Sequence, residues 1–161
     1  MPKIAPRKVV LDHKVPDFTL PATGEQQAWS LKDAAGRKLV IFFYPKDMTS
    51  GCTLEAQGLR DQAAAFRRAG TAIVGISRDT LASHEKFRLK EKLPYVLLSD
   101  SDERVCRLFD VIQEKSLYGR KYMGVERSTF LLDAAGILRR EWRKVKVNGH
   151  VEEVLEAAKS L

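Results

Sequence analysis

Apolar residues follow two kinds of repeat along this chain, and the repeats predict alternating strands and helices. Continuous apolar runs at 39–44, 72–77 and 95–99 are typical of strands buried on both faces. Apolar residues spaced by three and four predict a helix over 53–69. A cap at Asp79 or Thr80, with Pro94 beyond the end, predicts a second helix over 80–92. The middle of the chain therefore consists of two successive strand–helix units and a third strand.

Shorter elements flank this repeat. Segment 15–21 alternates apolar and polar residues and predicts an edge strand that enters a hairpin, and 102–109 predicts a short helix. Segments 128–133 and 137–142 predict a second hairpin, and a last helix follows from about residue 151. The order predicts one layered α/β domain over 1–161, with a mostly parallel sheet to which the late hairpin adds antiparallel strands.

Composition narrows the class of protein. The 161 residues include only two cysteines, which excludes a disulfide-rich scaffold and a four-cysteine zinc site. No apolar run approaches the roughly 18 residues that span a bilayer. The basic N-terminus lacks the apolar region of a signal peptide, so we expect a cytoplasmic protein with reduced thiols. The net charge of +7 permits anionic partners and identifies none.

Cys52 lies where an α/β sheet places its chemistry. Ligands bind beyond the carboxyl ends of the strands, and Cys52 follows the first buried strand at the first turn of the predicted helix. The unpaired N–H groups and the dipole of a helix N-terminus favour the thiolate, which is the nucleophilic form. Gly51 permits close approach to the backbone, and Thr49 brings a hydroxyl. The alternative is a buried structural thiol.

The residues around Cys52 resemble a family motif. Pro45, Thr49 and Cys52 match the peroxiredoxin pattern P-x-x-x-T-x-x-C, and the string Y-P-K-D-x-T-x-G-C-T is similar to the PrxQ, or bacterioferritin comigratory protein, branch. Similar segments occur from about residue 15 to 160, including 126–131 and 142–150. The resemblance implies a thioredoxin-like α/β fold with a central mixed sheet flanked by helices. It also implies a thiol peroxidase that acts on hydrogen peroxide and organic hydroperoxides, with no cofactor or metal.

The resemblance also implies a role for each residue. Cys52 is then the peroxidatic cysteine, whose thiolate attacks the O–O bond and becomes a sulfenic acid. Thr49 aligns the peroxide, Arg127 supplies a cation beside the sulfur, and Pro45 shields the sulfur. The alternatives are an ordinary arginine for Arg127 and a strand stop for Pro45. Tyr44 fits the pocket rim or the core.

Regeneration of the thiol is open at this stage. Members of the branch often carry a resolving cysteine where this chain has Gln57, which leaves only Cys106. Cys106 fits the apolar face of a short helix, so we favour a structural role and a one-cysteine cycle. Glutathione, glutaredoxin or thioredoxin is then the reductant, and the branch favours a monomer. The alternative is a transient Cys52–Cys106 disulfide.

Two residues depart from the branch pattern next to the predicted active site. Ser50 stands where many members have proline, which predicts a looser turn before the helix. Met48 replaces a more usual polar residue. Neither change removes a group that the chemistry needs.

Other classes of function fit less well. A dithiol oxidoreductase needs C-x-x-C, which Cys52 does not begin. A cysteine hydrolase needs a base, for which His84 and His150 are candidates, although both fit solvated helix positions better. The histidines show no metal-ligand spacing with the cysteines. A nucleic-acid-binding strip is the remaining alternative, formed by Arg139, Arg140, Arg143, Lys144 and Lys146 around Trp142, but a solvated strand face explains it more simply.

Overall fold

The strands and helices follow the predicted order in the computed structural model, which describes residues 8–161. The strands are β1 (Thr19–Pro21), β2 (Ala28–Ser30), β3 (Lys38–Phe43), β4 (Thr71–Ser77), β5 (Val96–Ser99), β6 (Ile112–Leu117), β7 (Arg120–Val125), β8 (Ser128–Leu132) and β9 (Leu138–Trp142). The helices are α1 (Ser50–Asp61), α2 (Ala63–Arg68), α3 (Leu81–Glu91), α4 (Arg104–Leu108) and α5 (His150–Ser160).

A five-stranded mixed sheet forms the centre of the fold. Its order is β5-β4-β3-β8-β9, with β3 parallel to β4 and β4 parallel to β5. The predicted late hairpin, β8 and β9, adds the antiparallel strands. Strand β3 is in the middle because both of its faces are apolar, and its residues from Leu39 onward are buried. This is the predicted mixed sheet.

Alternate residues of β3 enter two separate apolar clusters, one on each face of the sheet. Val40 and Phe42 pack with α1, α2, α3 and α5, and Cys52 belongs to this cluster. Leu39, Ile41 and Phe43 pack with α4 and the β1–β2 hairpin on the other face. Because successive side chains of a strand point in opposite directions, the sheet separates the two clusters.

The structure differs from the prediction in two elements. The helix predicted over 53–69 begins earlier, at Ser50, and is divided in two by Gln62, whose backbone leaves helical angles at φ −101° and ψ 7°. The β6–β7 hairpin was not predicted. It forms a separate two-stranded sheet whose outer residues are mostly exposed, so its sequence carries little apolar alternation.

The N-terminus and the helices bear on the expected location of the protein. The basic N-terminal residues, from which we expect no signal peptide, lie outside the described residues, apart from Lys8. Within residues 8–161, the helices are too short or too polar to cross a membrane.

Candidate active site

The Cys52 sulfur lies in the first turn of α1, as predicted. Thr49 is the N-cap residue, and the first intrahelical bond runs from the Thr53 N–H to the Thr49 carbonyl at 2.9 Å. The N–H groups of residues 50–52 therefore lack partners within the helix, which gives this end its partial positive charge. Cys52 is only 2% exposed and packs on the apolar cluster of β3 and α1.

Arg127 brings a fixed positive charge to the sulfur. It lies just before β8, and its Nη2 donates to the Cys52 sulfur at 3.3 Å. Gly51 leaves room for this approach, because a Cβ atom at that position would lie 3.2 Å from Arg127 Nη2, closer than an ordinary van der Waals contact. The structure thus brings together two residues that are 75 positions apart in the sequence.

Glu55 holds the other side of the same guanidinium. Arg127 Nη1 donates to Glu55 Oε1 at 2.7 Å, and the carboxyl group is fully buried. Its second oxygen, Oε2, has no hydrogen-bond partner among the described residues. Burial raises the pKa of Glu55 to about 7, although Arg127 opposes the increase. Burial alone lowers the pKa of Arg127, but Glu55 and Cys52 outweigh it and raise that pKa.

Thr49 and Pro45 lie in the loop between β3 and α1. The Thr49 hydroxyl donates to the Lys46 carbonyl at 2.8 Å, which closes the loop into a turn. Pro45 follows the end of β3 and is half-buried, beside a surface depression that Lys46, Arg78 and Glu103 also line. Its predicted role as a shield of the sulfur stays a prediction.

Tyr44 belongs to the core and not to the pocket rim. It is fully buried, and its hydroxyl donates to Asp47 Oδ1 at 2.6 Å. Burial, with the Asp47 charge, raises the pKa of Tyr44 well above its ordinary value. Of the two positions predicted for Tyr44, the structure selects the core.

Asp47, Asp79 and His84 form a polar cluster beside the Cys52 loop, in which Asp47 and His84 are buried and Asp79 is partly buried. One ligand-type atom from each lies within 4.8 Å of the others, a spacing that could hold a metal ion. These atoms already have partners, since Asp47 Oδ2 faces His84 Nδ1 at 2.7 Å and Asp79 Oδ2 accepts from the Asp47 N–H at 2.9 Å. The cluster is therefore a satisfied hydrogen-bond network.

Neither histidine is placed to act as a base for Cys52. His84 and His150 are buried, so the expectation of solvated positions was wrong. His84 bonds to Asp47 and to the Leu98 carbonyl, whereas His150 Nε2 bonds to the Thr129 hydroxyl at 2.8 Å. Burial lowers the pKa of His150. Buried histidines with fixed partners do not support the cysteine hydrolase alternative.

Cys106 lies on the far side of the sheet from Cys52. It packs with β3 residues Leu39, Ile41 and Phe43, on the face opposite the one that Cys52 contacts. Burial, with Asp100, raises the pKa of the Cys106 thiol well above its usual range. Both properties fit the structural role favoured from the sequence.

Gln57 ties α1 to α3 at the position where the branch often has a resolving cysteine. Its Nε2 donates to Glu91 Oε1 at 2.7 Å, and Arg60 Nη1 donates to the Glu91 carbonyl at 2.8 Å. The Tyr95 hydroxyl adds a bond of 2.8 Å to the Ala56 carbonyl of α1. The helix that carries Cys52 is thus bonded to its neighbours on the side where a resolving thiol would stand.

The three arginines of the basic strip are committed to contacts within the fold. Arg139 pairs with Asp12 and Asp133, and Arg143 donates to two carbonyls and lies 5.2 Å from the centre of the Phe130 ring. Arg140 stacks 4.9 Å from the centre of the Trp142 ring. Arginines engaged in this way are not arranged to follow a phosphate backbone, which disfavours the nucleic-acid alternative.

Comparison with known proteins identifies the family. The model of the AhpC/TSA family matches residues 11–141. The chain belongs to the AhpC/TSA family. Peroxiredoxin Bcp of Xanthomonas campestris is 47% identical over 144 residues, which cover 89% of each chain. Peroxiredoxin Bcp of Bacillus subtilis is 42% identical over 153 residues, 95% of this chain and 97% of the relative.

Solved structures agree with this assignment. Xanthomonas campestris peroxiredoxin Q superposes with a TM-score of 0.84 at 46% identity and covers 89% of this chain and 90% of its own. A Xylella fastidiosa PrxQ mutant gives 0.88 at 35% identity, covering 94% and 96%. Structures of the Xanthomonas campestris bacterioferritin comigratory protein address its alkyl peroxide reduction activity. This chain is therefore a peroxiredoxin of the PrxQ/Bcp branch, with the thioredoxin-like fold and thiol peroxidase activity of that branch.

Sequence reasoning missed the two buried acids of this peroxiredoxin site. Glu55 follows Cys52 by three residues and so shares its helix face with apolar Ala56 and Leu59. An acid on the buried face of a helix needs a cationic partner, and this signal was available in the sequence. Asp47 offered no such signal, because its loop is otherwise exposed.

Proposed function

We propose that Cys52 is the peroxidatic cysteine of this thiol peroxidase. The observation that carries the proposal is the 3.3 Å bond from Arg127 Nη2 to its sulfur at the start of α1. A guanidinium and a helix N-terminus both stabilise the thiolate, and the thiolate is the form that attacks peroxides. Cys52 is packed in a buried apolar cluster, so little water screens its sulfur from the Arg127 guanidinium and the helix N-terminus.

Thr49 orients the peroxide. Its hydroxyl has a single proton, which is donated to the Lys46 carbonyl, so its oxygen is left to accept a hydrogen bond. The O–H of a hydroperoxide is the donor that fits this oxygen. Bonding it there turns the O–O bond towards the sulfur, which is the alignment that in-line displacement requires.

The reaction then proceeds by one displacement. The Cys52 sulfur uses its electron pair to form a bond to the terminal oxygen of the peroxide, and the O–O bond breaks. The leaving oxygen takes a proton and departs as water or an alcohol, while the sulfur remains as a sulfenic acid. Arg127 stays beside both oxygens and stabilises the charge that develops on them.

Glu55 fixes the direction of the Arg127 guanidinium. Its 2.7 Å bond to Nη1 leaves Nη2 for the sulfur, so one planar group serves two acceptors. Pro45 shields the sulfur on the loop side of the site. Its ring fixes the backbone direction at the end of β3, and it has no N–H group with which to extend the strand.

An external thiol completes the cycle. A direct Cys52–Cys106 disulfide needs Cα atoms within about 7 Å. The two cysteines belong to clusters on opposite faces of the sheet, which argues against such a bond. A first thiol from the solvent condenses with the sulfenic acid, releasing water, and a second reduces the mixed disulfide. Glutathione, glutaredoxin and thioredoxin are the candidate reductants.

We also propose the substrates, the cellular location and the oligomeric state of the enzyme. Hydrogen peroxide and organic hydroperoxides both fit a site whose Thr49 side is exposed, and the alkyl peroxide reduction of the Xanthomonas campestris relative supports the second class. We place the enzyme in the cytoplasm as a monomer of one domain, 1–161, acting in redox homeostasis. The shared central sheet between the two apolar clusters supports the single domain.

Replacement of each cysteine separately tests the proposal. Cys52→Ser should abolish peroxide consumption with glutathione, glutaredoxin or thioredoxin as the reductant, whereas Cys106→Ala should keep the rate within about threefold of the wild type. Cys106→Ala is the matched control because it also removes one buried thiol. A Cys52→Ser protein that keeps most of its activity would contradict the assignment. Loss of thiol turnover in Cys106→Ala alone would restore the two-cysteine cycle.

A further inference from the structure

Asp47 is a buried charge in an otherwise exposed loop. Lys46, Met48 and Thr49 are exposed, yet the Asp47 side chain is only 1% exposed. Met48 has a φ of +62°, a left-handed conformation that is unfavourable for a residue with a side chain. Local backbone preference therefore does not explain the conformation of this loop, and contacts with the rest of the fold must stabilise it.

Asp47 is held by donors from two elements of the fold. The Tyr44 hydroxyl at the end of β3 donates to Oδ1 at 2.6 Å. The Ser83 hydroxyl, in the first turn of α3, donates to Oδ2 at 2.9 Å, and His84 Nδ1 approaches the same oxygen at 2.7 Å. The Asp47 N–H also donates to Asp79 Oδ2 at 2.9 Å. The loop is thus attached to α3 through one carboxylate.

His84 is the fixed end of this attachment. It is fully buried, and its Nε2 faces the Leu98 carbonyl at 2.9 Å. A carbonyl only accepts hydrogen bonds, so Nε2 donates to Leu98, while Nδ1 shares the second bond with Asp47 Oδ2. Through its two ring nitrogens, His84 connects the loop to β5.

We propose that His84 is a positioning residue for peroxide reduction, acting through Asp47 to hold the turn that carries Thr49. The connection is short, because Asp47 lies inside the turn that the Thr49–Lys46 hydrogen bond closes. A shift of Asp47 therefore moves the Thr49 hydroxyl relative to the Cys52 sulfur. The proposal rests on the roles of Thr49 and Cys52 given above.

Two amide substitutions separate the two bonds of His84. In His84→Asn, the amide nitrogen occupies the place of Nδ1 and keeps the bond to Asp47. In His84→Gln, the amide nitrogen reaches the place of Nε2 and keeps only the bond to Leu98. Both variants lose the imidazole ring, so they are matched for loss of packing and differ in the bond that they keep.

The measurement compares two reactions of the same thiol. Rapid-quench mass spectrometry gives the rate of Cys52 oxidation by hydrogen peroxide, and iodoacetamide gives its rate of alkylation, which needs no peroxide alignment. We expect the ratio of oxidation to alkylation to stay within about threefold of the wild type in His84→Asn. In His84→Gln we expect it to fall about tenfold to a hundredfold, since a displacement of about 1 Å costs up to about 10²-fold.

Equal ratios in the two variants, or a larger loss in His84→Asn, would overturn the proposal. Ser83→Ala provides a second test if the histidine variants do not fold, because Ser83 is only partly buried and supplies one of three donors to Asp47. We expect the ratio to fall about threefold to tenfold, and Ser160→Ala, a serine at the end of α5, to leave it unchanged. An unchanged ratio in Ser83→Ala would also overturn the proposal. A wild-type Cys52 that peroxide does not oxidise would instead refute the proposed function.

Discussion

Glu55 should make the folded state of this peroxiredoxin less stable as the pH rises. Its carboxyl group is buried, and its pKa in the folded protein is raised from 4.5 to about 7. The unfolded chain releases this proton near pH 4.5, whereas the folded chain retains it until about pH 7. The folded state therefore binds more protons between these values, and its stability falls as the pH rises through this window.

The size of the effect follows from the two pKa values. The gap between 4.5 and about 7 corresponds to about 3 kcal/mol when both states are ionised. Part of this loss has occurred by pH 5, so between pH 5 and pH 8 Glu55 should remove about 2 to 3 kcal/mol of stability. Glutamine at this position does not titrate, and its Oε1 can still accept the bond from Arg127.

Urea unfolding at pH 5 and pH 8 measures this difference. Glu55 and Glu55→Gln proteins are compared in a Cys52→Ser background, so that no thiol at position 52 is oxidised during the measurement. We expect the protein with Glu55 to lose about 2 to 3 kcal/mol more than the glutamine variant, or about 1 M in urea midpoint. If the two proteins lose the same free energy of unfolding between pH 5 and pH 8, within about 0.5 kcal/mol, then burial does not raise the pKa of Glu55 as argued.

Substitutions at three positions test the geometry of the site. Arg127→Lys should lower kcat/KM for peroxide about 10²-fold in steady-state assays, because one ammonium group cannot reach both Glu55 and Cys52. Thr49→Val should cost at least about tenfold in the same assay, and Thr49→Ser should restore most of it, since only the hydroxyl is needed. Gly51→Ala should lower the rate of Cys52 oxidation about threefold in stopped-flow measurements, because its Cβ atom displaces the guanidinium. Unchanged rates in Arg127→Lys, Thr49→Val and Gly51→Ala would contradict the site geometry.

The central strands could be predicted because their sequence records burial directly. Strand β3 lies between two others and under helices on both faces, so all of its later residues are apolar. The opposite holds for the β6–β7 hairpin. Its outer part is exposed on both faces, as Tyr118 and Tyr122 are, and no period-2 alternation marks it. A strand without a buried face leaves no pattern to detect.

The start of α1 shows the limit of helix periodicity. The apolar repeat becomes visible only at Ala56 and Leu59, so the predicted helix began near Thr53. The helix begins at Ser50, because Thr49 takes the N-cap position and the first turn needs no apolar residue. Cys52 was nevertheless assigned to the helix N-terminus, because the predicted boundary lies only one residue after it.

Some features of the candidate site could be predicted from the sequence and others could not. The place of Cys52 after a buried strand and before a helix is a local property, and the sequence contains it. The 2.7 Å pair of Glu55 with Arg127 is not local, because the two residues lie 72 positions apart. The Asp47–His84 pair spans 37 positions and was missed for the same reason. Buried charges are set by their partners, and partners are known only once the chain is folded.

The most direct test of the account is mass spectrometry after a single oxidation. The reduced protein is treated with one equivalent of hydrogen peroxide in the presence of dimedone, which captures sulfenic acids, and the modified peptide is mapped. We expect one dimedone adduct per chain, on Cys52, with Cys106 left as a free thiol. A Cys52–Cys106 disulfide as the main product would contradict the one-cysteine cycle, and an unmodified Cys52 would contradict the peroxidatic role itself.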